Sequence, residues 1–291
     1  MLPPEIVKKI KKIHIKSSRL VNTMMAGQYK SVFRGSGIEF EEVREYSPGD
    51  EVKSIDWKVS ARLGRPFIKR YREERELVVI LLIDMSASGN FGTTENLKRE
   101  IAAETAAIIA FNAIKNNDKI GAILFTDIVE KYIPPKKGSS HVWRVIKEIF
   151  TFKPEHTGTD IQNAVLYLGR VCRKKTVSFL ISDFLDQGYE KQLRMISKKH
   201  ELIGVILSDP GDFHLPEAGI FYARDFETGK LIEIDADEKT RQQYNALKTK
   251  EYRESVELLS SSEIDPVEIS TSDSAADALT KYFRYREKRK R

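Results

Sequence analysis

Two carboxylates and three hydroxyls, spread over three loops, are the side chains whose types and spacing could hold a hard divalent cation. Asp84-Met85-Ser86-Ala87-Ser88 puts a carboxylate and two hydroxyls at alternate positions in one loop. Thr159, within Thr157-Gly158-Thr159-Asp160, adds a third hydroxyl, and Asp183, after Ser182, adds a second carboxylate. Small neutral oxygens and retained waters suit the compact octahedral shell of Mg²⁺ or Mn²⁺ better than that of Ca²⁺. Zinc is disfavoured, because neither His nor Cys belongs to the set.

The elements that must position these groups are legible nearby. The apolar run from Leu77 to Ile83 reads as a central parallel strand covered on both faces, so Asp84 emerges at its carboxyl end. In open α/β sheets that edge is where ligands bind. Val177, Phe179, Leu180 and Ile181 predict a second strand, which delivers Asp183 in the same way. The repeat Ile161, Ala164, Val165, Leu168 and Val171 predicts an amphipathic helix that leaves Thr159 near its N-terminus.

The rest of the chain alternates similarly. A helix is expected over 95–114 and a strand over 120–125. Thr126-Asp127 is too short for a parallel crossover, so 128–133 should be an antiparallel edge strand, stopped by Pro134-Pro135. Helices follow over 142–150 and 189–199, then a strand over 202–207 ending at Ser208-Asp209-Pro210-Gly211. Residues 220–226 and 230–234 flank Glu227-Thr228-Gly229 as a β-hairpin, before a long polar helix over 238–259, a strand over 266–269 and a last helix from Ala275. The fold class is therefore α/β, a doubly wound mainly parallel sheet with a hairpin insertion at about 219–235. Asp209 and Asp212 fall at the same sheet edge and are not placed among the ligands.

In order and type, Asp84, Ser86, Ser88, Thr159 and Asp183 resemble the metal-ion-dependent adhesion site of von Willebrand factor A domains: D-x-S-x-S, a distant Thr and a later Asp. Upstream, Arg34-Gly35-Ser36-Gly37-Ile38-Glu39-Phe40, Arg44-Glu45-Tyr46-Ser47-Pro48-Gly49-Asp50, Ile55-Asp56-Trp57-Lys58 and Ala61-Arg62 resemble the leader of the domain-of-unknown-function 58 family. In those bacterial and archaeal proteins the segment precedes a von Willebrand factor A-like domain. The resemblance implies an N-terminal helix and extended leader over 1–75 and a von Willebrand factor A-like domain over 76–291. It also implies a non-enzymatic adaptor whose metal bridges to a carboxylate of a protein partner, with Thr159 a state-dependent ligand and Asp183 held mostly through water. Members are commonly encoded beside MoxR-type AAA+ ATPases, so such an ATPase is the implied partner in assembling or activating other complexes.

The alternative is a metal-dependent hydrolase or phosphotransferase using the same ion, for which His156 is the best general base, although it reads as an exposed loop histidine. A receiver or haloacid-dehalogenase-like site would need a second acid where Ser86 stands, and Arg34-Gly35-Ser36-Gly37 lacks the lysine of a nucleotide loop.

Composition sets the outer limits. A chain of 291 residues that is 41% apolar can bury one large α/β core with additions. No stretch approaches the ~18 uninterrupted apolar residues of a membrane span, and Met1 opens onto prolines and lysines, so a cytoplasmic protein is expected. Cys172, the only cysteine, excludes an intramolecular disulfide and reads as packing. The formal charge of +6 concentrates at the ends, with Lys8, Lys9, Lys11, Lys12 and Lys16 near the start and seven basic residues from Lys281 to Arg291. These read as solvated or docked helix faces; membrane contact through them is the secondary reading. Nucleic acid is not expected, because no zinc-finger spacing or aromatic RNA-binding signature occurs. In the leader, Glu39, Arg44, Asp50, Asp56 and Arg62 should pair and pack locally around Tyr46 and Trp57.

Overall fold

The computed structural model describes residues 39–72 and 77–290, which divide into two compact units with the boundary between Leu77 and Val78. The expected N-terminal helix and the part of the leader before residue 39 lie outside the described residues.

In the smaller unit, β1 (Glu39–Glu45) pairs antiparallel with β2 (Phe67–Arg72), and α1 (Trp57–Leu63) lies between them in sequence. Asp56 caps that helix by accepting from Lys58 N at 3.0 Å and Val59 N at 3.2 Å. Asp50 closes the turn after Pro48-Gly49, accepting from Ser47 N at 2.9 Å and pairing with Arg44 at 2.6 Å. Trp57 departs from expectation: it is 69% exposed, as the first residue of a two-turn helix whose one buried position is Ser60.

The larger unit begins with β3 (Val78–Asp84), α2 (Lys98–Lys115), β4 (Lys119–Phe125) and β5 (Val129–Lys136). It continues through α3 (Ser139–Thr151), α4 (Ile161–Val171), β6 (Val177–Ser182), α5 (Glu190–Ser197), β7 (Glu201–Ser208) and the single turn α6 (Pro210–Phe213). The hairpin β8 (Ile220–Arg224) and β9 (Leu231–Asp235), α7 (Glu238–Ser261), β10 (Asp265–Ser270) and α8 (Ala275–Lys290) complete it. Six strands form one sheet in the order β10-β7-β6-β3-β4-β5, parallel throughout except for β5. This is the doubly wound mainly parallel sheet that the alternation predicts. The chain moves from β3 outward to β4 and β5, then returns to the other side of β3 for β6. The carboxyl ends of β3 and β6 therefore flank the point where the strand order reverses, the usual crevice for a ligand.

Two boundaries differ from the sequence reading for identifiable reasons. Helix α2 starts at Lys98 and not at Glu95, because Leu97 is its N-cap and the Glu100 carboxylate reaches back to Leu97 N at 3.2 Å. Strand β5 is not stopped by Pro134-Pro135 but runs through both to Lys136. It sits at the sheet edge, and a register shift between Ile120 and Ala122 absorbs the prolines' missing donors. Gly121 makes that possible: a Cβ there would lie 2.6 Å from Ile133 O and 2.9 Å from Pro135 N.

Apolar packing fixes the sheet from both faces. The alanine-rich α2 is buried on nearly every side, between the sheet and helices α3 and α8. On the opposite face Ile80, Leu82, Ile123 and Phe125 meet Ile161, Val165 and Leu168 of α4, Leu193 of α5 and Leu259 of α7. Cys172, just past the end of α4, belongs to this cluster, and burial pushes its thiol up. In the basic C-terminal helix, Arg286 bonds Glu201 and Asp265 and is not a free surface charge. No described helix is long and apolar enough to cross a membrane.

Candidate metal centre

Asp84 is the last residue of β3, and the ladder continues one step beyond it through Met85 N to Phe125 O at 2.8 Å. The chain then turns sharply: Ser86 N donates to Asp84 Oδ1 at 2.9 Å, and Ser86 Oγ shares a hydrogen bond with Ser88 Oγ at 3.0 Å. From β6, Ser182 Oγ donates to Asp84 Oδ2 at 2.6 Å. Ala87 N donates to Thr157 O at 2.9 Å, which ties this loop to the one carrying Thr159. Asp160 caps α4 through Asn163 N at 2.7 Å and donates its own N–H to Thr126 O at 3.0 Å.

Asp84, Ser86, Ser88, Ser182 and Asp183 line one cavity of about 10 Å³, the lower limit for a single water or small ion. Lys98 lines it as well. That lysine is only 2% exposed, with its ammonium 3.2 Å from Asp183 Oδ2 and 2.9 Å from Asp212 Oδ2. Burial alone would push its pKa down; the two carboxylates more than reverse this and hold it above the ordinary lysine value.

The two aspartates of the cavity thus differ in their surroundings. Asp183 has a buried cation beside it. Asp84 has no cationic side chain within 4.0 Å among the described residues. Desolvation, with added repulsion from Asp183, pushes the Asp84 carboxyl up to about 7, against the hydrogen bonds from Ser182 and Ser86. A buried carboxylate with uncompensated charge and two hydroxyls within reach is a donor set that a hard divalent ion fits. Among the described residues no group of three or more His, Cys, Asp or Glu side chains is arranged for a metal, so any ion held here relies on hydroxyl oxygens.

Four of the five residues singled out from the sequence, Asp84, Ser86, Ser88 and Asp183, come together around the cavity. Thr159 does not line it; its Oγ1 donates to Glu227 Oε1 at 3.1 Å, on the turn of the β8–β9 hairpin. His156 lies away from the cavity, 43% exposed, with Nδ1 3.1 Å from Asp127 Oδ1. Asp209 is fully buried and holds Thr93 N at 2.9 Å and Gly211 N at 2.8 Å, a structural tie and not a ligand.

The sequence reading gives no role at the site to Lys98, Ser182 or Glu227, and it leaves Asp212 at the sheet edge without a partner in the chain. Lys98 left a signal, since it stands three and four residues before Ile101 and Ala102, on the apolar face of α2. Glu227 left none, because its contact with Thr159 spans 68 residues.

Comparison with known proteins places the chain among others of similar sequence. Residues 42–254 match the family described as protein of unknown function DUF58. An uncharacterized protein of Mycobacterium tuberculosis, Rv1480, is 30% identical over 244 residues, 83% of this chain and 77% of that protein. Uncharacterized YeaD of Bacillus subtilis is 32% identical over 108 residues, 37% of this chain and 25% of that one. Among solved structures, the conserved hypothetical protein BatB of Bacteroides thetaiotaomicron aligns with TM-score 0.48 and 18% identity, covering 73% of this chain and 99% of that one. The SpRpn10 VWA domain aligns with TM-score 0.41 and 13% identity over 70% and 94%. At these scores the fold assignment rests on the strand order itself.

Proposed function

This chain belongs to the DUF58 family, and from that premise we propose that it is a non-enzymatic adaptor of the von Willebrand factor A type. It holds Mg²⁺ or Mn²⁺ at Asp84, Ser86 and Ser88 and uses the ion to engage a carboxylate on a protein partner. The observation that carries this reading is the state of Asp84: desolvated, at the crevice where the strand order reverses, and bonded by Ser182 and Ser86 with no cationic side chain of the described residues beside it. A bound divalent ion would supply the missing positive charge and an electropositive point for an external carboxylate. Asp183, already neutralised by Lys98, serves as an outer anchor. Thr159 stands on a loop bonded to the first one, and we assign it as the state-dependent ligand.

Binding is favoured over turnover because His156, the base that a hydrolase would need, is directed at Asp127 and does not line the cavity. The resemblance of the leader supports a MoxR-type AAA+ ATPase as the working partner, and the cytoplasm is the proposed place of action. Calorimetric titration of Mg²⁺ and Mn²⁺ into metal-free protein tests the site. Saturable one-site binding that disappears in Asp84→Ala is expected; no saturable binding by the wild type, or equal binding by the variant, would overturn the reading.

A further inference from the structure

The β8–β9 hairpin is an insertion whose strands bury little: Tyr222 is 67% and Leu231 68% exposed. A two-stranded hairpin is marginal on its own, so what it touches at its tip matters. The turn is tightly built. Asp225 Oδ1 accepts from Glu227 N at 3.0 Å, Thr228 N at 2.6 Å and Thr228 Oγ1 at 2.8 Å, and Gly229 takes the left-handed φ of 70° that the turn needs. This conformation presents Glu227 outward from the hairpin and onto the loops of the candidate metal centre.

Three contacts fasten the tip, and all three land on those loops. Thr159 Oγ1 donates to Glu227 Oε1 at 3.1 Å, and Thr157 Oγ1 donates to Glu227 O at 3.0 Å. The Phe226 ring meets Phe91 edge to face with centroids 6.3 Å apart. Phe91 closes the turn that carries Ser88, donating its N–H to Ser88 O at 3.0 Å, and its ring faces the Lys98 ammonium at 5.6 Å. A carboxylate delivered from elsewhere in the chain thus sits on the one site hydroxyl that does not line the cavity.

We propose that the hairpin is a built-in occupant of this site: Glu227 holds the place of a partner's carboxylate beside Thr159, and an acidic segment of a partner must displace it. The inference rests on the reading of the site as a carboxylate receptor and adds the regulation of that site. The tip's small set of contacts, with exposed strands behind it, lets the hairpin leave without disturbing the core.

The test uses the full chain and a fluorescein-labelled peptide copying residues 222–232, which carries Glu227, as the probe, followed by anisotropy in Mg²⁺. Phe226→Ser/Glu227→Ala, which undocks the tip, is expected to bind the peptide at least about tenfold more tightly than the wild type. A tethered segment competes at an effective concentration on the order of mM, which sets that ratio. Replacing the peptide's glutamate by glutamine should remove the binding. Equal affinity for both proteins, or no binding to either, would overturn the proposal. Binding to the variant that persists in EDTA would retain the hairpin as occupant while removing the cation from the reading of the site. Should the double variant fail to fold, Thr159→Val answers the same question. Hydrogen exchange at Gly229 should then rise about ten- to a hundredfold, the loss of one charge-assisted bond, and an unchanged rate would overturn the docking.

Discussion

Replacing Lys98 by methionine removes the ammonium from between two carboxylates while keeping an unbranched side chain of similar length. In the native protein that ammonium lies 3.2 Å from Asp183 and 2.9 Å from Asp212, with 2% of the residue exposed. Removing one partner from a buried ion pair costs about 3–5 kcal/mol, because the remaining charge is left uncompensated, and here two carboxylates are left. With a urea m-value of about 3 kcal/mol/M, the unfolding midpoint should fall by about 1–1.7 M. Trp143, packed edge to face on Phe111 at 5.3 Å, reports on the larger unit, and Trp57→Phe silences the only other tryptophan. The sign with pH also follows. The folded pKa of Lys98 is raised, so its stabilisation is complete below the ordinary lysine value and is lost as pH rises through the folded one. Saturating Mg²⁺ should recover part of the loss, about 2.7 kcal/mol at a hundredfold excess over Kd, by replacing the missing charge. A midpoint shift under about 0.3 M would refute the view of Lys98 as the internal counter-ion, since it would correspond to only about 1 kcal/mol.

Two further outcomes are expected. In metal-free protein, stability should decline as pH rises between about 4 and about 7, because the folded state holds the Asp84 proton more tightly than the unfolded chain does. Asp84→Asn should flatten that decline and abolish stabilisation by Mg²⁺; urea midpoints that track the wild type across the range would count against it. Gly121→Ala would drive a Cβ to 2.6 Å from Ile133 O, a backbone atom with little room to yield. Such overpacking costs about 1–3 kcal/mol, and calorimetry should show Tm lowered by several degrees. An unchanged Tm would mean that β5 is not held firmly against β4.

Much of the fold was legible because each buried strand of the sheet is a short apolar run and helices α3, α4 and α5 each carry one apolar face. Val78–Asp84 and Val177–Ser182 carry the carboxylates to one edge simply by ending there. The brevity of Thr126-Asp127 revealed the direction of β5, whereas the path of β5 through its prolines depended on a bulge against Gly121 that no local pattern encodes. At the candidate site, residue types and order singled out Asp84, Ser86, Ser88 and Asp183, which line one cavity. The internal cation was hidden because lysine usually reads as surface, and its burial is decided by two acids contributed by β6 and α6 regions far along the chain. The docking of Glu227 was invisible for a related reason: a polar turn gives no sign of what it will meet in space.

Proline also stands at both margins of the main sheet, with Pro134 and Pro135 in β5 and Pro266 in β10. Consecutive prolines in β5 remove a donor from each side of that strand, so its outer border lacks the unbroken row of N–H groups on which another strand could grow. At that edge the sheet is thereby discouraged from pairing with a second sheet or with an extended partner peptide. On the proposed reading of the site, recognition would fall to side chains on loops, where specificity is set by chemistry and not by a generic backbone ladder.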